Sequence, residues 1–162
     1  MSVWIASNAV IFGDVRFKEG CSVYYHTVIR AESGTISFGE RTNIQDLCVI
    51  HGGKTNPVTV GSYVTIGHRC IIHGCTIGDN TLIGMGSIVM NNAVIGNNCI
   101  IGAGSLVTEG TVIPDNSVAY GSPCRIIRSI TQEESDSNTK GAMFYEKIKP
   151  LHQDFDERKR NE

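Results

Sequence analysis

Three of the five histidines, His51, His68 and His73, fall in one short stretch, with Gln45 and Asp46 just ahead of them and Arg30 further back. Imidazole is a metal ligand when neutral and a general base near neutral pH. Three chemistries are therefore open to this group. Converging rings hold a metal ion, neutral rings stack in a hydrogen-bond network, or one ring acts as a base while the others stand by. The choice depends on what positions them.

A repeat does the positioning. Ile77, Ile83, Val89, Ile95, Ile101, Val107 and Ile113 follow one another at six-residue intervals, each with a small residue four positions later (Thr81, Ser87, Ala93, Cys99, Ser105, Thr111, Ser117). The same phase holds for Ile5, Ile11, Phe17, Val23 and Ile29, then for Phe38, Ile44 and Ile50, then for Val60, Ile66 and Ile72. A period of six fits neither an amphipathic helix nor strand alternation, but it fits a β-helix in which each hexad makes one side and one corner. The aliphatic residue fills the interior and the small one fits beside it, so stacked turns bury a core that no hexad buries alone. Eighteen hexads at three per turn make six triangular turns. Cys21, Cys48, Cys70 and Cys99 take the small interior position, where a free thiol behaves as a small apolar group.

The period fails three times: nine residues from Ile29 to Phe38, ten from Ile50 to Val60 and five from Ile72 to Ile77. Counted in threes, all three breaks fall in the second hexad of consecutive turns, on one side of the prism. A scaffold that repeatedly departs from its own rule at one place marks that place for function. The residues after the leading aliphatics there are Arg30, His51 and His73, and adjacent rungs lie about 4.8 Å apart. His51 and His73 should stack with outward side chains, close enough to share one metal ion. His68 lies across a corner, with at most roughly 16 Å of extended chain to His73. Its side chain leaves a different side, so a neighbouring copy would have to bring it to the pair, as in a cyclic trimer. Asp46 should stack beside His68, with Gln45 next to it; both could orient a ligand or a water. Arg30 serves a substrate or an interface ion pair. Residues 31–37 and 52–59 read as outward loops, and His26 and His152 as solvated.

Composition narrows the partners. Charged residues make up 19% and the net charge is −2, with no basic stripe for a nucleic acid. No apolar run is long enough to span a membrane, and the N-terminus has no signal-peptide pattern, which makes the cytoplasm the default compartment.

The stretch Asn43-Ile44-Gln45-Asp46, then His51, then Ile66-Gly67-His68 and Ile72-His73-Gly74-Cys75-Thr76-Ile77-Gly78-Asp79, closely resembles the γ-class carbonic anhydrases and their γ-carbonic-anhydrase-like relatives. The resemblance covers residues 3–128. It implies a left-handed parallel β-helix and a homotrimer, with zinc, iron or cobalt held by His51 and His73 of one chain and His68 of the next. It implies catalytic roles for Gln45 and, from a loose match at Ala142-Met143-Phe144-Tyr145, for Tyr145. Arg30, Glu32, Asn43 and Asp46 would support the interface. Two features depart from the family: Glu32 stands where an aspartate is usual, and residues 52–60 carry no acid where active members place proton-shuttle carboxylates. The implied reaction is reversible hydration of carbon dioxide to bicarbonate. The alternatives are a CoA-dependent acyltransferase using one histidine as base, or a metal-bearing trimeric scaffold without turnover.

After Arg128 the hexads stop. Residues 129–153 read as a connection and a helix packing on the prism and stopping at Pro150. Residues 154–162 are charged and read as a frayed tail.

Overall fold

The computed structural model describes residues 2–160. Strands Trp4–Ile5, Ser22–Val23, Asn43–Ile44, Thr65–Ile66, Leu82–Ile83, Ile100–Ile101 and Ser117–Gly121 stack in parallel on the first side of a β-solenoid of about six turns. The second side stacks Val49–His51, Ile71–His73, Ile88–Val89 and Leu106–Val107; the third stacks Val58–Val60, Thr76–Ile77, Val94–Ile95 and Val112–Ile113. Two long early strands, Val10–Phe17 and Val28–Phe38, run along both sides and join them into one ten-stranded sheet. Cys124–Ser129 turns back antiparallel on Ser117–Gly121 at the end of the first sheet.

The leading residues from Val23 to Ile113 are buried, and Cys21, Cys48, Cys70 and Cys99 have no exposed surface. All six cysteines are free thiols, and burial pushes Cys21 up to about 11 and Cys75 up to about 12, so neither is a thiolate at neutral pH. Ile5, Ile11 and Phe17, in the first turn, are partly buried and pack against the core from its end among the described residues.

The three breaks are absorbed differently. Residues 31–37 are not an outward loop. Ala31 pairs with Gly13 and Thr35 pairs with Asp14, so three residues, 32–34, bulge out of a strand that otherwise keeps its ladder. Continued pairing with Val10–Phe17 satisfies the backbone groups that a free loop would leave to water. The second insertion is a loop closed by Gly53 and Asn56, and the strand resumes at Val58. The third is a deletion, taken up at Gly74 with a left-handed φ of 54°.

Helix α1, Gln132–Arg160, lies over the first side against Ser22–Val23, Asn43–Ile44 and Thr65–Ile66. It does not stop at Pro150. A proline inside a helix forfeits one hydrogen bond and costs about 3 kcal/mol, but contacts on both sides of it hold the helix. Lys149 donates to the carbonyls of Ser2 and Gly20, and Asp156 accepts from the backbone and hydroxyl of Ser7. Residues 154–160 are thus helical rather than a frayed tail. His152 is not simply solvated: its ring packs against Trp4 and Tyr24, and Nδ1 lies 3.1 Å from the Tyr25 hydroxyl. His26 is exposed, beside Asn8. Among the described residues no helix is long and apolar enough to cross a membrane.

The start of α1 is a reciprocal cap. The Thr131 hydroxyl accepts from the Glu134 backbone, and the Glu134 carboxylate accepts from the Thr131 backbone and from Arg128. Arg128 holds the Glu134 carboxyl down at about 2. A depressed carboxylate contributes fully above its unfolded value and loses that contribution as pH falls. Thr131→Ala should therefore cost about 1 kcal/mol in denaturant unfolding. The contribution of the Glu134 cap, read from the difference between wild type and Glu134→Ala, should fade between pH 4.5 and about 2.

Candidate metal centre

The second side carries a column in which Phe12, Arg30, His51 and His73 occupy successive rungs in register. His51 Nδ1 and His73 Nε2 face each other at 2.9 Å, with ring centroids 4.9 Å apart. Each ring's other nitrogen has its own partner. His51 Nε2 lies 3.0 Å from a Glu32 carboxylate oxygen, and His73 Nδ1 meets the Asn91 side-chain oxygen. Both partners are acceptors, so they place the hydrogen on the outer nitrogens of the neutral rings. The two facing nitrogens are then both lone pairs, and a cation is what such a pair lacks. Glu32 reaches His51 because it sits on the 32–34 bulge, where its other oxygen is bound by Arg30. Burial first, then the charge of Arg30 and the neighbouring His73, lowers the His51 pKa, which keeps the ring in the form that ligates metal.

Across the corner, Asp46 and His68 occupy adjacent rungs of the first side, with His68 Nδ1 at 2.9 Å from Asp46. That contact leaves His68 Nε2 as the ring's available nitrogen. The corner is made by the next residues, Leu47 and Arg69, both left-handed with φ of 62° and 61°. Glycine does this work in later turns at Gly86 and Gly104; a side chain there costs about 1–2 kcal/mol.

Gln45 is buried beneath His68. Its carbonyl accepts from the His68 backbone N–H at 3.1 Å, and its amide nitrogen faces Asn43 Oδ1 at 3.4 Å. Asn43 in turn donates to the Thr65 hydroxyl at 2.9 Å. Tyr145, from α1, shares a cavity with Gln45, and burial, then the Asp46 charge, raises its pKa, so the phenol stays protonated. Gln45, Thr65, His68 and Tyr145 line one cavity of about 390 Å³. A larger cavity, about 700 Å³, lies between Tyr63 and the α1 residues Lys140, Met143 and Phe144, away from both histidine columns.

Within one chain the structure gathers two clusters: Arg30, Glu32, His51 and His73 on one side of the corner, Asn43, Gln45, Asp46, His68 and Tyr145 on the other. Among the described residues no three His, Cys, Asp or Glu side chains form a metal-holding group. Sequence reasoning missed Asn91 and Thr65. The deletion at Gly74 shortens this turn to seventeen residues, so Ile72 pairs with Val89 and the rung after His73 is Met90; Asn91 stands one residue further on, and counting rungs does not reach it.

If Arg30 helps to hold His51 neutral, Arg30→Ala should raise the His51 titration midpoint toward the ordinary 6.5 without reaching it, because burial remains. Side-chain NMR titration of the metal-free protein reads this, and an unchanged or lower midpoint would refute it.

Comparison with known proteins agrees with the repeat and with the family resemblance. The sequence profile described as "Bacterial transferase hexapeptide (six repeats)" matches residues 74–109, and "Hexapeptide repeat of succinyl-transferase" matches residues 57–90. A Methanocaldococcus jannaschii protein named "Probable carbonic anhydrase" is 50% identical over 147 residues, covering 91% of this chain and 92% of its own. "Gamma carbonic anhydrase 1, mitochondrial" of Arabidopsis thaliana is 37% identical over 155 residues; the match covers 92% of this chain and only 56% of that protein. The crystal structure of a hexapeptide transferase family protein from Anaplasma phagocytophilum superposes with a TM-score of 0.79 at 38% identity, covering 94% of this chain and 92% of that one. The chain belongs to the γ-carbonic-anhydrase-like family of hexapeptide-repeat proteins.

Proposed function

We propose that the protein catalyses metal-dependent, reversible hydration of carbon dioxide to bicarbonate in a homotrimer. Each site takes His51 and His73 from one chain and His68 from the next. The observation that carries this reading is the pair of facing imidazole nitrogens 2.9 Å apart, each ring fixed through its other nitrogen. Two nitrogens on a tetrahedral zinc ion, with bonds of 2.0–2.1 Å, lie about 3.3 Å apart. The rings need to open by only a few tenths of an ångström, and the donor set suits zinc, iron or cobalt.

Surface chemistry supports the trimer. The first side is covered by α1, and the third presents Thr59 and Thr76 in the turns where the second presents Val49 and Ile71, with exposed Val94 and Val112 following further along. The second side presents Val49, Ile71, Ile88 and Met90, flanked at the corner by Leu47 and Met85, all between 37% and 57% exposed. A contiguous apolar surface of this kind marks an interaction face. Packing it on the His68 corner of the next chain gives a head-to-tail contact that closes as a ring of three.

A divalent metal held by His51, His73 and the neighbouring chain's His68 would supply Lewis acidity, the chemistry that activates water near neutral pH. The chain's own groups do the rest. Glu32, Asn91 and Asp46 fix the three rings, leaving one free nitrogen on each. Gln45, locked by His68 and Asn43, presents an amide N–H that can orient water or substrate oxygen. Tyr145 holds its proton on the phenol oxygen and can donate it in a hydrogen bond to bicarbonate. A transferase would need one histidine as base; three rings, each held through one nitrogen, exceed that need.

Stopped-flow measurement of carbon dioxide hydration, with zinc-loaded and anaerobically iron-loaded protein, tests the reaction. Catalysis above buffer, abolished by chelator and restored by metal, is expected; no rate above buffer under any loading sinks it. The interface has its own test. Ile71→Glu keeps all three histidines but places a charge on the apolar face. It should shift sedimentation from trimer to monomer and weaken metal binding at least tenfold, since two protein ligands remain where three are usual. A monomer that still binds one metal per chain at wild-type affinity would contradict the shared site.

A further inference from the structure

The cavity beside His68 is larger than the proposed reaction requires. Its volume of about 390 Å³ lies in the range of sites for drug-sized ligands, whereas carbon dioxide has three atoms. Its polar groups collect at one end, where His68 Nε2 is a lone pair and the other three can donate. Thr65 accepts from Asn43, which leaves its own O–H free. The Gln45 carbonyl is occupied by the His68 backbone and one amide hydrogen faces Asn43, so one N–H is what Gln45 can offer. The Tyr145 phenol is protonated. Three donors want an acceptor, and a carbonyl oxygen is the simplest acceptor that carries no charge to repel Asp46. From that end the cavity passes Leu82 and Met85 to Ile100 and Ala103, all apolar. This spans two rungs, about 10 Å, roughly the length of a six- to eight-carbon chain.

We propose that this cavity binds an acyl compound, its carbonyl oxygen held by Thr65, Gln45 and Tyr145 and its straight aliphatic chain lying along Leu82, Met85 and Ala103. The inference goes beyond carbon dioxide hydration: it shares that reaction's cavity but does not need its metal. A ligand seated there would exclude carbon dioxide, so acyl binding would also inhibit the proposed reaction.

The probes are straight-chain primary amides from propanamide to octanamide, which bind metals weakly, titrated into metal-free and metal-loaded protein by ligand-detected NMR. Affinity should rise about fourfold for each added methylene, the gain for burying one, and level off near heptanamide, equally with and without metal. Ala103→Trp, at an exposed position at the far end, should lower heptanamide affinity at least tenfold and leave propanamide unchanged. Leu82→Ala, which removes wall rather than blocking the end, should lower it severalfold. Affinity independent of chain length, a dependence seen only with metal bound, or heptanamide binding indifferent to both variants would each overturn the proposal. A negative hydration assay leaves the amide series standing, and a flat amide series leaves the hydration reading standing, so the two failures are distinct.

Discussion

Stacking of rungs at the strand spacing of about 4.8 Å governs everything else in this protein. Every turn must place its next residue over the residue below, or interior aliphatics and backbone ladder are lost together. Outward side chains are thereby fixed in columns, and a column of imidazoles becomes a pair of rings 4.9 Å apart, centroid to centroid, without any special local structure. The corner imposes the complementary limit. Residues on either side of it point away from each other, so His68 cannot belong to the same cluster as His51 and His73 in one chain. A solenoid that uses both clusters at once must therefore use two copies of itself.

The irregularities lie where they disturb the stacking least. The 32–34 bulge, the loop at residues 52–57 and the deletion at Gly74 all fall on the second side, and the ladder resumes in register after each. The bulge also delivers Glu32 to the outer nitrogen of His51, which the regular path could not do. His26, Leu47 and Arg69 turn this corner with full side chains in the left-handed region in three successive turns, and later turns use glycine there.

Much of this was legible in the sequence because a six-residue period is strict. The interior positions of Ile44, Ile66 and Ile83, the stacking of His51 on His73, and the neighbourhood of Asp46 and His68 all follow from counting. What did not follow depends on contacts that counting cannot see. The bulge at 32–34 stays paired because Val10–Phe17 lies beside it, so a nine-residue gap that looked like a loop is mostly strand. Helix α1 passes through Pro150 because Lys149 and Asp156 are anchored on the N-terminal turn, a tertiary gain that local propensity does not register. His152 fits no column because it comes from the helix, and only the docking of that helix brings it to Trp4 and Tyr24.

The central claim is that one metal site draws on two chains, and subunit mixing tests it most directly. Neither His68→Ala nor His73→Ala protein alone should hold metal, because every interface in each lacks one ligand. In a mixed trimer, an interface that pairs intact His51 and His73 of one chain with intact His68 of its neighbour is restored. After exchange, verified by mass-tagged subunits, the mixture should regain part of the wild-type metal content by elemental analysis. If every site lay within a single chain, mixing could restore nothing. A mixture that exchanges fully and still holds no metal would contradict the shared site.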